Sequence, residues 1–360
     1  MTNIKKLGLS ALAGSLVAVS AQAGEMSVTG SANVTYVTGK NAAAGKSIGT
    51  DKDVAFTGTG ELDNGWTFTV STLLTDAYSV SSSYTSMTMG SMGTVSFGLD
   101  TGGANYKYDE EVPQAYEQMS DAQNNSANRI GNMADTNMIV YNSPSFDLGG
   151  VSASFDLEYS PNVAADGTGE STNDGGSTTV NEDMGGASGA GVTLSYDAFK
   201  FGIYGAEIER TAEGNTEISD AFEGAWYVNY SFGPVAVGYT ESYMDGGANG
   251  TPEDVNTAKT EGTDNTRGAN GFFEGNQMSI AFNVNENFSV SYTESEETYD
   301  AQDNAATAVA DVVMKTDGIQ AAYSMGAMSI KAYKIDVTNP AFDEDAADKT
   351  ANEIALGLAF

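Results

Sequence analysis

The last ten residues are ANEIALGLAF (351–360), which from Ile354 onward alternate between large apolar and small side chains and end on an aromatic ring. The apolar face of this pattern holds Ile354, Leu356, Leu358 and Phe360. Because successive side chains of a strand point to opposite faces, the pattern predicts a terminal β-strand with one apolar face. An unpaired sheet edge is unstable in lipid, so such a strand is expected to pair with the first strand and close a barrel. The competing interpretation is the edge strand of a secreted β-sandwich adhesin.

The other end of the chain predicts export. Lys5 and Lys6 form a short basic segment, the apolar stretch LGLSALAGSLVAVS (7–20) follows, and AQA (21–23) has the small residues of a signal-peptidase site. The apolar stretch is too short for a transmembrane helix, which needs about 20 residues. We therefore expect residues 1–23 to be a cleaved signal peptide and residues 24–360 to be the exported domain.

Composition excludes several kinds of chemistry. The chain has no histidine and no cysteine, which excludes histidine-based triads, thiolate nucleophiles and disulfides. Paired carboxylates or a lysine could still support an outer-membrane enzyme, but no acid pair has a telling spacing, and we expect no enzymatic activity. The 49 acidic and 15 basic residues give a formal net charge of −34, a field that repels nucleic acid and attracts cations.

Alternation with a period of two recurs throughout the exported part. Clear examples are WTFTVSTLL (66–74), TVSFGL (94–99), VSASFDLEY (151–159) and MSIAFNV (278–284). One face of each stretch is apolar, and the other is mostly Ser, Thr, Gly, Asn and Asp, which suits a water-filled lumen. Aromatic residues recur near the strand ends, as they do at the two interfaces of a membrane.

Short and long connections take turns along the chain. Turns such as DNG (63–65) and NEN (285–287) alternate with long connections such as 160–188 and 244–274, with one short exception near Asp76. The regularity predicts an all-β fold, a transmembrane antiparallel up-and-down β-barrel with short periplasmic turns and long extracellular loops. About 16 strands are expected, and 14 or 18 are also compatible. The predicted strand cores lie near 26–37, 53–62, 66–75, 79–89, 94–99, 136–143, 151–159, 190–196, 200–209, 222–232, 235–243, 276–284, 288–297, 317–325, 328–337 and 351–360.

Four stretches carry a resemblance to a known family. They are GEMSVTGSANVTYVTG (24–39), ELDNGWTFTVST (61–72), GSMGTVSFGLD (90–100) and IALGLAF (354–360). Together they resemble the general trimeric porins of Gram-negative bacteria, and most of all those of α-proteobacteria. The resemblance implies an outer-membrane porin, a water-filled channel for passive diffusion of small hydrophilic solutes and ions, with a preference for cations. A substrate-specific outer-membrane channel is the alternative.

In that family the third long loop folds into the barrel and narrows the pore, and here this position is 100–135. The resemblance implies a constriction formed with Asp109, Glu110, Glu111, Glu117, Asp121 and Arg129. From the residues alone, a solvated outer loop is the competing interpretation. Family members usually place arginines on the wall opposite the loop. In this chain the arginines lie outside the strands that face it, and the nearby bases are Lys52, Lys107 and Arg129.

The resemblance also implies partners. The terminal pattern from Ile354 to Phe360 resembles the signal that the barrel insertion machinery of the outer membrane reads. Outer-membrane lipid and lipopolysaccharide would surround the barrel. The family forms homotrimers in which the second loop latches onto a neighbouring subunit, although here that loop is very short. No cofactor is expected, and no metal site is assigned, although acidic loops such as 340–348 could bind Ca²⁺ or Mg²⁺.

Overall fold

The computed structural model describes residues 24–40, 46–75, 79–99, 103–119, 130, 136–161, 184–210, 217–245, 248–250, 272–300 and 311–360. The expected signal peptide lies outside these residues. Within them, sixteen long strands form one closed antiparallel barrel, which confirms the predicted fold and excludes 14 or 18 strands. No helix among the described residues is both long and apolar enough to cross a membrane.

Each barrel strand pairs with its neighbour in sequence, so the barrel is an up-and-down meander. The strands are β1 (Met26–Lys40), β2 (Ser47–Glu61), β3 (Thr67–Leu74), β4 (Val80–Thr88), β5 (Thr94–Leu99), β6 (Thr136–Asn142), β7 (Ser152–Ser160), β8 (Met184–Tyr196), β9 (Phe199–Arg210), β10 (Ala221–Phe232), β11 (Val235–Asp245), β12 (Phe272–Asn285), β13 (Phe288–Asp300), β14 (Val312–Met325), β15 (Met328–Thr338) and β16 (Lys349–Ala359). Three shorter strands are Phe146–Asp147, which pairs with the start of β7, and Glu217–Ser219 and Ala248–Gly250, which pair with each other.

The barrel closes between its first and last strands, as the terminal sequence predicts. β1 pairs with β2 on one side and with β16 on the other, in the register Ser31↔Ala359. Just before this register, the backbones of Gly30 and Phe360 exchange two hydrogen bonds of 2.8 and 2.9 Å. The Phe360 ring covers Gly30, where an added Cβ would lie 2.4 Å from the ring. The pairing between β1 and β16 therefore continues as far as Phe360.

The alternation in each strand separates an outer face from a lumen face. Large apolar side chains are exposed on the outer face of the isolated barrel, for example Val70, Phe97, Met278 and Ile319. Such a continuous apolar exterior is stable only when it faces lipid rather than water. The positions between these residues point into the lumen, and they position the groups described below.

The connections confirm the predicted two-ended arrangement. β9 follows β8 after two residues, and β10–β11, β12–β13 and β14–β15 are joined equally tightly at one end of the barrel. The long connections are at the other end. β3 and β4 are the exception at that end, because Thr75 and Ser79 already hydrogen-bond to each other across the connection.

Candidate functional site: the barrel lumen

The third long connection lies along the inner wall of the barrel over its described part, residues 103–119 and 130. It contacts side chains of β7, β9, β13, β14 and β16 in turn. The contacted residues alternate with exposed apolar residues of the outer face, so they belong to the lumen face. This part of the loop is therefore inside the barrel, and the solvated outer-loop interpretation does not apply to it.

The first part of the loop is anchored on a buried carboxylate of β7. The Tyr108 hydroxyl donates to Asp156 Oδ2 at 2.8 Å, and Lys107 Nζ lies 2.5 Å from Asp156 Oδ1. The Tyr108 ring stacks on Tyr204 with centroids 5.5 Å apart. Burial raises the pKa of Tyr108 above its ordinary value, and the neighbouring Asp156 adds to the rise. Tyr108 therefore stays protonated at neutral pH and remains a hydrogen-bond donor.

A second carboxylate of β7 holds the start of the loop. Glu158 accepts hydrogen bonds from the backbone N–H of Ala104 and from the Tyr204 hydroxyl. Glu158 is buried, and a buried carboxylate is tolerated only when it is hydrogen-bonded. These contacts fix the point at which the loop enters the lumen.

The middle of the loop carries an ion pair with the wall. Lys200 Nζ of β9 lies 2.7 Å from Glu111 Oε1, and both side chains are partly exposed. Asn229 Nδ2 of β10 donates to the backbone oxygen of Glu111 at 3.0 Å. Lys200 Nζ also lies 5.2 Å from the centroid of the Tyr227 ring, within range of a cation–π interaction. Glu111 is therefore locally neutralised by a base of the barrel wall.

The far part of the described loop is anchored through Tyr116. Its hydroxyl donates to Glu353 Oε1 of β16 at 2.7 Å, and its backbone N–H donates to Gln320 Oε1 of β14 at 2.8 Å. Gln320 Nε2 in turn donates to the backbone oxygen of Glu117 at 2.7 Å. Lys331 Nζ of β15 lies 5.0 Å from the centroid of the Tyr116 ring. Burial and the hydrogen bond to Glu353 raise the pKa of Tyr116 above its ordinary value.

Three glycines on the wall make room for the loop. A Cβ at Gly191 would lie 2.3 Å from the Tyr108 ring, and one at Gly238 would lie 2.4 Å from Pro113. A Cβ at Gly318 would lie 2.5 Å from Met119 Cε. Real Cβ atoms do not approach other atoms this closely, so the wall and the loop fit each other along the whole described segment.

The predicted constriction residues have different surroundings. Glu110 is only 4% exposed, whereas Asp109, Glu111 and Glu117 are partly exposed. Asp121 and Arg129 lie outside the described residues. The carboxylates that the resemblance grouped together are thus not equivalent, because one is buried and another is paired with a lysine.

The bases that meet the loop differ from those named in the sequence. Lys52 shares a face of β2 with the exposed Phe56, so it lies on the outer face, and Lys107 is held by Asp156. Instead, Lys200 and Lys331 of the wall approach the loop. Their lumen-facing positions follow from the strand pattern. Their contact with the loop cannot be predicted from the strand pattern, because it depends on the path of the loop, which is distant in sequence.

The wall formed by β1 to β5 is different, and we call its lumen face the open wall. Its side chains are mostly Ser and Thr, and the pairs Asn33↔Asp51 and Ser31↔Asp53 add an amide and two carboxylates. Within the described strands, no lumen-facing position of β1 to β5 is a lysine or arginine. We call the lumen face of β7 to β16, against which the loop packs, the covered wall. Among the described residues, no three acids converge to hold a metal ion.

Comparison with known proteins adds a family and a fold. The sequence profile of the Gram-negative porin family matches residues 8–263. OmpF of Salmonella typhi, solved in complex with daunomycin, has a TM-score of 0.67 at 14% identity and covers 94% of this chain and 98% of its own. A porin refined at 1.8 Å gives 0.62 at 15% identity, covering 93% and 100%. An anion-selective porin from Comamonas acidovorans gives 0.60 at 15% identity, covering 93% and 99%. No curated protein sequence matches this chain.

Proposed function

The chain belongs to the Gram-negative porin family, a family of outer-membrane channels, and from this premise we propose that it forms a water-filled pore for passive diffusion of small hydrophilic solutes, with a preference for cations. The observation that carries the proposal is the contrast between the two walls. The loop brings carboxylates into the lumen, and the open wall opposite offers hydroxyls, amides and two aspartates but no base.

The ion preference must come from residues rather than from the fold, because one protein with this fold is anion-selective. Two unit charges about 4 Å apart interact by about 1 kcal/mol in bulk water and about 4 kcal/mol at an effective dielectric constant near 20. A narrow water-filled passage lies between these limits. A net excess of a few carboxylates over bases therefore suffices to favour cations, as rings of acids do in other cation channels.

Passive diffusion is supported over substrate-specific transport by the position of the aromatic residues. Tyr108, Tyr204 and Tyr227 are buried between the loop and the wall. A solute in the lumen would therefore meet few aromatic faces on which to stack, and small polar side chains would line most of its path.

We propose a homotrimer whose subunits pack through β1 to β5. On the outer face of β4, Ser83 and Thr85 stand where lipid contact favours large apolar residues, and Ser83 Oγ lies 3.3 Å from Thr72 Oγ1 of β3. Such a face suits close packing against another protein. The short connection between β3 and β4 leaves little chain for a latch, so the strand faces would supply most of the contact.

The proposal includes the remaining partners and the route of export. Residues 1–23 would be removed as a signal peptide, and the terminal strand through Phe360 would be read by the barrel insertion machinery. Outer-membrane lipid and lipopolysaccharide would surround the apolar exterior. The acidic loops would bind Ca²⁺ or Mg²⁺ weakly, as solvated carboxylates do, and the channel would need no cofactor.

The test is the zero-current potential of the purified protein in planar bilayers under a KCl gradient. The parent should prefer cations. The variant Asp109→Asn/Glu117→Gln should show a smaller preference, because it removes two lumen charges. The matched control Glu294→Gln/Glu296→Gln removes the same charge from the outer face of β13 and should behave like the parent. Anion preference in the parent would contradict the proposal. An unchanged preference in the lumen variant would place its origin outside these two residues.

A further inference from the structure

The connection between β15 and β16 also folds into the barrel. Phe342 in this connection is 5% exposed, and its ring centroid lies 5.2 Å from that of Phe273 and 6.2 Å from that of Tyr299. Phe273 and Met278 are five residues apart on β12, so they face opposite sides, and Met278 is 58% exposed on the outer face. Phe342 therefore packs on the lumen side, near the long-loop end of the barrel.

An unusual backbone conformation turns Phe342 inward. Asn339, Ala341 and Phe342 have φ values of +51°, +60° and +58°, in the left-handed region that residues with a side chain rarely adopt. Such a conformation persists where the surrounding contacts determine it. Here Asn339 Nδ2 donates to the backbone oxygen of Val313 at 2.9 Å, and Pro340 is buried.

The wall beneath the connection is apolar. Val312, Met314, Ile335 and Val337 are all nearly fully buried on the lumen faces of β14 and β15. These side chains would be exposed to water if the connection were displaced. Burying them, together with the three aromatic rings, provides the hydrophobic driving force that holds the connection inside the barrel.

The residues after Phe342 carry charge. Asp343, Glu344 and Asp345 follow directly, and Glu344 and Asp345 are exposed. The backbone N–H of Asp345 donates to Asp343 Oδ1 at 2.9 Å, and that of Ala346 donates to the Asp343 backbone oxygen at 3.2 Å. The turn is thus ordered by its own hydrogen bonds, and its position is fixed by the anchored Phe342.

We propose that residues 339–348 form a second inward-folded loop that limits solute size and concentrates cations at the outer mouth, with Phe342 as its positioning residue. The inference rests on the proposed channel function and adds a filter separate from the third long loop. Phe342 sets the width of the mouth, and the three acids supply a field that attracts cations over roughly a Debye length, about 10 Å at 0.1 M salt.

The first test compares Phe342→Ala with the conservative variant Phe342→Leu. The alanine variant should admit larger neutral sugars into proteoliposomes and show a higher single-channel conductance, because the loop loses its anchor. The leucine variant should have nearly the size limit and conductance of the parent, because its side chain still packs against Phe273 and Tyr299. Heat-modifiable migration in gels would show that each barrel is folded. A folded alanine variant with the size limit and conductance of the parent would overturn the inference.

The second test does not disturb the anchor. Glu344→Lys/Asp345→Lys, which changes two exposed side chains, should reduce cation preference at 0.1 M KCl and have less effect at 1 M, while the sugar size limit stays unchanged. The matched control Asp63→Lys/Glu286→Lys reverses two exposed charges in the short turns at the opposite end and should have a smaller effect. Equal effects of the two pairs at 0.1 M would overturn the inference. A parent that forms no conducting channel would instead contradict the proposed function.

Discussion

The open wall and the covered wall arise from the same alternating sequence pattern, yet their lumen faces differ in chemistry. The open wall of β1 to β5 presents short hydroxyl and amide side chains, with Thr57 and Ser71 bonded to each other at 3.0 Å. The covered wall presents tyrosines, glutamates and glutamines that bond to the third long loop. A lumen-facing side chain in this barrel therefore either faces the pore or is buried beneath a loop that packs against it.

Burial explains the difference in composition. Asp156, Glu158 and Glu353 of the covered wall are shielded from solvent, and each accepts a hydrogen bond from a tyrosine hydroxyl. Carboxylates in such places need a donor to replace water. Tyr108 and Tyr116 donate from the loop, and Tyr204 donates from the neighbouring strand β9. The hydrogen bonds described for the loop are with the covered wall, whereas short polar side chains of the open wall bond to each other, as Thr57 and Ser71 do.

The largest effect should come from removing the space that the covered wall leaves for the loop. Gly191→Val would place side-chain atoms inside the Tyr108 ring, and overpacking of this kind costs about 1–3 kcal/mol. We expect a lower free energy of unfolding in urea and a higher single-channel conductance as the loop moves away.

Gly58→Val is the matched control for this prediction. A Cβ at Gly58 has no atom within 4 Å, so the substitution should be well tolerated. If Gly191→Val left both stability and conductance unchanged while Gly58→Val did the same, the close fit between loop and wall would not hold in the membrane.

The second effect concerns charge on the two walls. Ser71→Lys places a base on the open wall and should shift the zero-current potential toward anions. Lys200→Gln on the covered wall should shift it toward cations, because Glu111 loses its counter-ion. The second shift should be the smaller one, since Lys200 and Glu111 are both partly exposed and water already screens the pair. Shifts of the same sign would show that the walls do not face one shared pore.

The strands were predictable from sequence wherever contact with lipid requires one face of the strand to be apolar. All sixteen predicted cores overlap the observed strands, and the closure by the terminal strand is confirmed. The start of β8 was missed, because GASGAG (186–191) lacks apolar alternation. The structure explains this composition, since Gly189 and Gly191 are small to accommodate Glu158 and Tyr108. A local sequence pattern cannot report a constraint that a distant loop imposes.

The lumen contacts were less predictable for the same reason. Lys200 and Glu111 are 89 residues apart, and Tyr116 and Glu353 are 237 residues apart. The sequence shows that Lys200 and Lys331 are on lumen-facing positions but not that a loop passes over them. The inward fold of residues 339–348 also had no signal beyond one aromatic residue, Phe342, in an acidic stretch.

Removing single hydroxyls should lower stability by a similar amount but change conductance less than Gly191→Val does. Tyr116→Phe deletes the hydrogen bond to the buried Glu353, and a bond to a charged group contributes about 1.5–3 kcal/mol. We expect a measurable loss of stability in urea and more frequent current fluctuations, because the far part of the loop is less firmly held. Tyr84→Phe on the open wall should change neither property. Equal effects of the two substitutions would remove the distinction between the walls.

The smallest effect should be that of pH in the range from 7 to 9. The pKa values of Tyr108 and Tyr116 are raised by burial and by their carboxylate partners, whereas an unfolded tyrosine titrates near 10. The neutral phenols donate the anchoring hydrogen bonds, so their contribution to stability is fully present below about pH 10 and is lost as the pH rises through the raised values. Titration of Tyr108 and Tyr116 should therefore change neither conductance nor stability in urea between pH 7 and 9.

In Tyr116→Phe, the loss of stability at more alkaline pH should be smaller than in the parent, because one titrating anchor is already missing. A loss of stability between pH 7 and 9 that is present in the parent and absent in Tyr116→Phe would show that the loop anchors titrate as exposed phenols and that the covered wall is open to water.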